Sequence, residues 1–173
     1  IPAGNPAHKE IHTSAKHLLN MLQIALKNLK DERMVIDQRE LSRSISKPSY
    51  TCETIESLMK DFPKKRFFWI LGEDQLLNFK SWKNWKWLLG NLVLALCRRP
   101  ENSIRKKKIF NYLSETIRSL EEYGGEIIVL DISPKNISSS YIRDLISKRQ
   151  DPSHILDKSV YDYAKKNKLY LNY

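Results

Sequence analysis

The chain predicts a doubly wound α/β fold, a mostly parallel sheet flanked by helices on both faces, and three observations predict it. Strand-like and helix-like segments alternate along the sequence. The strand candidates "RFFWILG", "NLVLALC" and "EIIVLDI" are short, apolar and without polar alternation, as strands covered on both faces are. Between them run segments whose apolar residues recur at three and four, the period of an amphipathic helix. In such folds ligands bind beyond the carboxyl ends of the strands. Chemistry is therefore to be sought on the loops after Ile1-Pro2, Asp37, Leu71, Cys97 and Ile132.

The elements follow in order. "IPAGNPAHKE" reads as the tail of a strand running into a Gly/Asn/Pro loop that ends in His8 and Lys9. From Thr13 to Leu29 the residues Leu18, Met21, Leu22, Ala25, Leu26 and Leu29 mark one face of a helix. Met34 to Asp37 is a short strand candidate, and "RELSRSISKPSY" is a polar, turn-rich loop. A helix is expected from Thr51 to Lys60 with Thr51 as its N-cap. After "RFFWILG", "EDQLLNF" and "WKNWKWLL" form two short helices broken near Lys80 and Ser81. "NLVLALC" leads through the basic "RRPENSIRKKK" to a helix over Ile104 to Glu122, which Tyr123-Gly124-Gly125 ends. Beyond "EIIVLDI", two further helices are separated at Asp151-Pro152.

A length of 173 residues suits one domain with a real core. Lys and Arg number 30 against 20 Asp and Glu, a net charge of +10, so the substrate or partner is expected to be anionic. Cys52 and Cys97 lie far apart, without Cys or His at metal-ligand spacing; this argues against a disulfide framework or zinc site and suits a reducing cytosol. The longest apolar stretches are too short to cross a bilayer, and no charged-then-apolar signal opens the chain.

Several strand ends carry candidate groups. Ser138, Ser139 and Ser140 can cap a helix while hydroxyls and first-turn N–H groups face outward, with Arg143 one turn away, an arrangement suited to a phosphate chain. A plain serine cap with a surface arginine describes the same letters equally well. Gly72 allows close backbone approach, and Asp74 stands where a carboxylate can accept from ribose hydroxyls; a helix-capping role is the alternative. Phe79, Trp82 and Trp85 recur at three, interleaved with Lys80, Lys83 and Lys86. Such spacing favours core packing over a base-stacking surface by burial tendency. Arg98 and Arg99 follow "NLVLALC" as possible phosphate ligands or plain solvated residues, and His8 and Lys9 sit similarly after the first strand remnant.

Taken in order, "IPAGNPAHK", "SYTCET", "ILGEDQLLNFKSW", "CRRP", "NISSSYIR" and "ILDKSVYDYAKKNKLY" resemble the bacterial nicotinate-mononucleotide adenylyltransferases of the nucleotidylyltransferase superfamily. Three letters depart from the family pattern: Ala7 replaces a proline, Ser140 stands for threonine, and Lys158 stands where proline is usual. The resemblance implies a Rossmann-like nucleotidylyltransferase domain over 1–173, with 133–173 as the C-terminal helical part bearing the phosphate motif. It implies that ATP and nicotinate mononucleotide give nicotinate adenine dinucleotide and pyrophosphate in the cytoplasm. Trp82 would stack on the nicotinate ring in a pocket lined by Tyr50 and Thr51. Asp74 would hold a ribose or contact the mononucleotide, Arg99 would lie near its phosphate or ring pocket, and His8 and Lys9 would flank its phosphate. Ser138, Ser139 and Arg143 would grip the ATP phosphates, and Mg²⁺ would accompany ATP.

Family members begin with a strand and a His-x-Gly-His segment that this chain does not contain. The catalytic histidines are therefore assigned to no residue here, and the 173 residues alone are expected to be inactive, with a hydrophobic slot beside a central strand. A homo-oligomer is allowed; neither a membrane nor a specific nucleic acid is expected. The rival readings are a sibling nucleotidylyltransferase with another acceptor, such as pantetheine phosphate, and a basic nucleic-acid-binding module built on "FKSWKNWKWLL" and "RKKK".

Overall fold

A computed structural model describes residues 1–2, 13–43, 48–97, 106–132 and 137–171, with the backbone alone over 106–110. The chain forms two compact units, one of residues 1–49 with 137–173 and one of residues 50–136.

The unit of residues 50–136 is built on a parallel sheet in the order β1 (Phe68–Gly72), β2 (Val93–Cys97) and β3 (Glu126–Val129). Helix α2 (Thr51–Asp61) precedes it, α3 (Glu73–Leu77), a 3₁₀ turn (Phe79–Ser81) and α4 (Trp85–Asn91) connect β1 to β2, and α5 (Lys106–Glu122) connects β2 to β3. The pleat sends Leu71, Leu94 and Leu96 to one face, where they meet Cys52 and Ile55 of α2, Leu76 of α3, Phe79, Leu88 and Leu89 of α4, and Leu113 and Leu120 of α5. Each such side chain taken from water contributes about 1.5–3 kcal/mol, so this cluster holds the unit together.

The central strand behaves as its letters predict: Val93 to Leu96 are all buried. Its neighbours do not. Phe68 and Ile70 of β1 are 52% and 67% exposed, and Val129 of β3 is exposed too. Among the described residues β1 pairs only with β2 and β3 only with β2. An apolar run records a strand's fitness for burial, whereas its place in the sheet decides whether both faces are covered.

The end of α5 shows why two glycines stand together. Gly124 takes the left-handed conformation (φ 82), and the Gly125 N–H returns to the Leu120 carbonyl at 3.0 Å. A Cβ on Gly125 would lie 2.9 Å from that same Leu120 oxygen and run into the Leu89 side chain, so β3 enters beside α4 only through glycine.

In the other unit, α1 (Ala15–Leu29) packs on α7 (Lys158–Lys166). The Tyr163 hydroxyl receives a hydrogen bond from Asn20 Nδ2 at 2.7 Å and lies 2.9 Å from His17 Nδ1. At the other end Asn28 Nδ2 donates to both Asp157 carboxylate oxygens at 3.0 and 3.1 Å. Asp157 also caps α7, accepting from the N–H of Ser159 and Val160. Helix α6 (Ser139–Ser147) ends well before Pro152, which is buried between it and α7 in sequence.

Two local expectations need correction. Met34 to Asp37 forms no strand; Met34 and Val35 are exposed, and the Asp37 carboxylate turns the chain by accepting from the Arg39 backbone N–H at 2.9 Å and from its Nε at 2.8 Å. A β-propensity run becomes a strand only beside a partner ladder, and none pairs there among the described residues. The N-cap of α2 is Tyr50, not Thr51, which is the first helical residue.

Candidate active site

Register places the first pair of loops. Gly72 ends β1 opposite Cys97, which ends β2, so the chain leaves both strands at the same edge of the sheet. Gly72 is the N-cap of α3, and Asp74 follows in its first turn, exposed. The Asp74 carboxylate folds back over the backbone of residue 72, because a Cβ there would stand only 2.9 Å from Asp74 Oδ1. Gln75 Nε2 approaches Asp74 Oδ2 at 3.5 Å, and Asn78 Nδ2 donates to the Asp74 carbonyl at 2.9 Å, fixing the short helix below it. A carboxylate so placed is presented to solvent at a strand end, where it can accept from sugar hydroxyls.

The aromatic group is assembled by a lysine. Trp82 leaves the 3₁₀ turn half-buried, its ring 5.2 Å from that of Phe79, which is wholly buried in the core. The next residue, Lys83, reaches back to α2: its ammonium sits 4.4 Å from the centre of the Tyr50 ring and 2.8 Å from Glu53 Oε1. Glu53 holds that ammonium above the ordinary lysine range. The pair is exposed, so it fixes geometry more than it adds stability. Lys83, the residue after Trp82, thus joins the end of the 3₁₀ turn to Tyr50 and Glu53 at the start of α2, and Tyr50 and Trp82 both pack against the core of this unit.

The other lysines of this stretch turn elsewhere. Trp85 meets Tyr123 edge-on at 5.2 Å, and Lys80 and Lys86 each lie within 5.7 Å of both rings. Lys80 also donates to Ser119 Oγ at 2.7 Å. These contacts join α4 to the end of α5. Phe79 is core, as its helical spacing suggests.

In the other unit, Ser138 caps α6, its Oγ accepting from the Tyr141 N–H at 3.1 Å. Its own O–H remains able to donate outward. Ser139 and Ser140 open the helix, both exposed, and Arg143 Nη2 donates to Ser140 Oγ at 3.3 Å. A helix N-terminus carrying hydroxyls and a guanidinium in contact with them is suited to an anion. The serine cap is observed, and it leaves the arrangement open to an anion. His8, Lys9 and Arg99 lie outside the described residues. Among the described residues no group of His, Cys, Asp or Glu could hold a metal ion, and no helix is long and apolar enough to cross a membrane.

Two links escaped sequence reasoning. Lys83 was legible only as one of three interleaved lysines, and nothing in the letters tells which of them reaches Glu53. The folding of Asp74 over Gly72 had a signal in the glycine itself, since a strand end that needs close approach selects it.

A parallel α/β sheet with a carboxylate at a strand end, and a hydroxyl-capped helix bearing an arginine elsewhere in the chain, suit a nucleotide-binding protein, and similarity to known proteins makes the class a nucleotidyltransferase. The cytidylyltransferase-like family model matches residues 1–145. The chain belongs to that family, among the nicotinate-nucleotide adenylyltransferases. It is 34% identical over 171 residues to the probable nicotinate-nucleotide adenylyltransferase of Carboxydothermus hydrogenoformans, covering 98% of this chain and 81% of the relative. The probable enzyme of the same description from Shewanella pealeana is 29% identical, with 95% and 79% covered. Among solved structures, the Plasmodium falciparum nicotinic acid mononucleotide adenylyltransferase complexed with NaAD is similar, with a TM-score of 0.67 at 19% identity over 96% of this chain and 78% of that one. That likeness shows the shared fold.

Proposed function

We propose that the protein transfers the adenylyl group of ATP to nicotinate mononucleotide, giving nicotinate adenine dinucleotide and pyrophosphate in NAD biosynthesis. The observation that carries this reading is the 34% identity over 98% of the chain to a nicotinate-nucleotide adenylyltransferase. Residues 1–173 are read as one nucleotidylyltransferase domain, with 133–173 as its C-terminal helical part.

A phosphate oxygen of the mononucleotide attacks the α-phosphorus of ATP in line, and pyrophosphate leaves with no enzyme-bound intermediate. Such a transfer asks the protein for positioning and for positive charge and donors around spreading negative charge. Trp82 stacks on the nicotinate ring, with Tyr50 and Thr51 lining its pocket and Lys83 bracing Tyr50. Asp74 accepts from a ribose hydroxyl. Ser138, Ser139 and Arg143 receive the ATP phosphates, while Arg99, His8 and Lys9 serve the phosphate of the mononucleotide. Mg²⁺ would neutralise the triphosphate, held chiefly by the substrate's own oxygens, since the described residues offer no carboxylate cluster for it. The two free cysteines suit a cytoplasmic setting.

The test is pyrophosphate release by the protein expressed from the longest open reading frame that contains this chain, with ATP and either nicotinate or nicotinamide mononucleotide. Release with nicotinate mononucleotide supports the assignment. A folded protein that releases none with either acceptor overturns it and brings forward a sibling transferase with another acceptor.

A further inference from the structure

Three lysines interleave with the aromatic residues after β1, and the fold sends them to different places. Lys80 and Lys86 lie against Trp85 and Tyr123. Lys83 alone of the three turns to α2, where its ammonium sits 4.4 Å from the centre of the Tyr50 ring and 2.8 Å from Glu53 Oε1. An ammonium has three N–H donors. Glu53 takes one, and the Lys83 side chain is 46% exposed, so donors remain open to a ligand. Glu53 also holds the group above the ordinary lysine range, so it carries its charge at neutral pH.

Trp82, which precedes Lys83 in the chain, is half-buried, with its ring 5.2 Å from that of Phe79. An aromatic face accepts any flat ring, because stacking reads the π surface and not the substituents. Nicotinate and nicotinamide mononucleotide share ring, ribose and phosphate and differ in one substituent, an ionised carboxylate against a neutral amide. A neutral donor pairs with the oxygen of either one. A fixed cation separates them, since only the carboxylate adds charge attraction to the hydrogen bond. Lys83 is such a cation, fixed by Glu53 against Tyr50 and next in the chain to Trp82.

We propose that Lys83 is a specificity-determining residue for the acceptor: its ammonium, held at the Tyr50 ring by Glu53, favours the carboxylate of nicotinate mononucleotide over the neutral amide of nicotinamide mononucleotide. The proposal rests on the adenylyl-transfer reading, which assigns the acceptor ring to Trp82.

Lys83→Met keeps the alkyl stem and removes the charge; Lys83→Arg keeps the charge. In the protein from the longest open reading frame, kcat/KM and the calorimetric Kd are measured for both mononucleotides on the wild type and each variant, with Tm beside them. Lys83→Met is expected to lower the preference for nicotinate over nicotinamide mononucleotide about twofold to fivefold, the range for an ion pair partly in water, while Lys83→Arg keeps most of it. The wild-type preference should also shrink as potassium chloride rises from about 0.05 to about 0.5 M, because salt screens a charge and leaves shape untouched. An equal fall for both acceptors overturns the proposal, since it makes Lys83 a brace for Tyr50 and nothing more. So does a preference that is unchanged in Lys83→Met, lost equally in Lys83→Arg, or independent of salt. A wild type that binds neither mononucleotide overturns the proposal together with its acceptor. A wild type that binds them yet releases no pyrophosphate overturns adenylyl transfer alone, and the ratio of the two Kd values then decides the role of Lys83.

Discussion

Gly72→Ala separates the fold of β1 from the chemistry at its end. The backbone there has φ −85 and ψ 170, which any residue adopts, so alanine introduces no dihedral strain. Its Cβ would stand 2.9 Å from Asp74 Oδ1, and ordinary contact begins at 3.4 Å. The carboxylate must therefore retreat by the difference, about 0.5 Å. It is the exposed end of a flexible side chain, so stability changes little, with Tm held to within about 2 °C. Its reach to a ribose hydroxyl changes more. A hydrogen bond to a charged group contributes about 1.5–3 kcal/mol, and half an ångström takes an ideal contact to the edge of the bonding range. A loss of about 1 kcal/mol, or about fivefold in KM for the nucleotide that the proposed function assigns to Asp74, is expected. Steady-state kinetics beside Asp74→Asn, which keeps the shape and removes the charge, provides the scale, and that variant should lose about tenfold. If Gly72→Ala leaves KM untouched while Asp74→Asn impairs it, the placement of the carboxylate over residue 72 has no role. A large fall in Tm would instead make residue 72 a packing position.

Trp82→Ala should raise KM for nicotinate mononucleotide by about 10- to 100-fold while KM for ATP stays flat, since a base-like ring stacked on an aromatic is worth about 1–3 kcal/mol; Trp82→Phe should recover most of it. Gly125→Ala forces a Cβ against the Leu120 carbonyl and Leu89, so the urea midpoint should fall by the equivalent of about 1–3 kcal/mol with its slope unchanged. The Asp157 carboxyl is held below its ordinary value of 3.8, chiefly by the hydrogen bond from Asn28 and then by the Val160 N–H. A depressed folded pKa gives stability that is present above 3.8 and lost as the pH falls through the lower folded value. Thermal melts from pH 7 down to about pH 2 should therefore show an acid-side loss that Asp157→Asn reduces.

The helices were legible because their signals are local. The spacing of Leu18, Met21, Leu22, Ala25 and Leu26 placed α1, and Tyr123-Gly124-Gly125 placed the end of α5. The hydroxyl cap of α6 at Ser138 followed from the same local chemistry. Strand position was not local. "FWIL" and "VLAL" are alike as letters, yet Ile70 is 67% exposed and Ala95 buried, because one strand lies at the margin of the described sheet and the other at its centre. Met34 to Asp37 had strand letters and no partner ladder, so the Asp37 to Arg39 contacts shaped it instead. Of the candidate residues, Trp82 was named from its spacing and Tyr50 from the family resemblance, but the Lys83 to Glu53 contact that joins their two elements links positions 30 residues apart.

What the sequence by itself determined, then, is the order of the helices and of the three sheet strands, the serine cap of α6, and the kind of chemistry available: hydroxyls, carboxylate and cations at strand and helix ends. Tertiary structure alone decided which lysine braces the Tyr50 ring, which strand is covered, and that Asp74 lies over Gly72. The physical reason is range. Capping and periodicity act within a few residues and are written in neighbouring letters, whereas burial and long-range pairing depend on which surfaces the folded chain brings together.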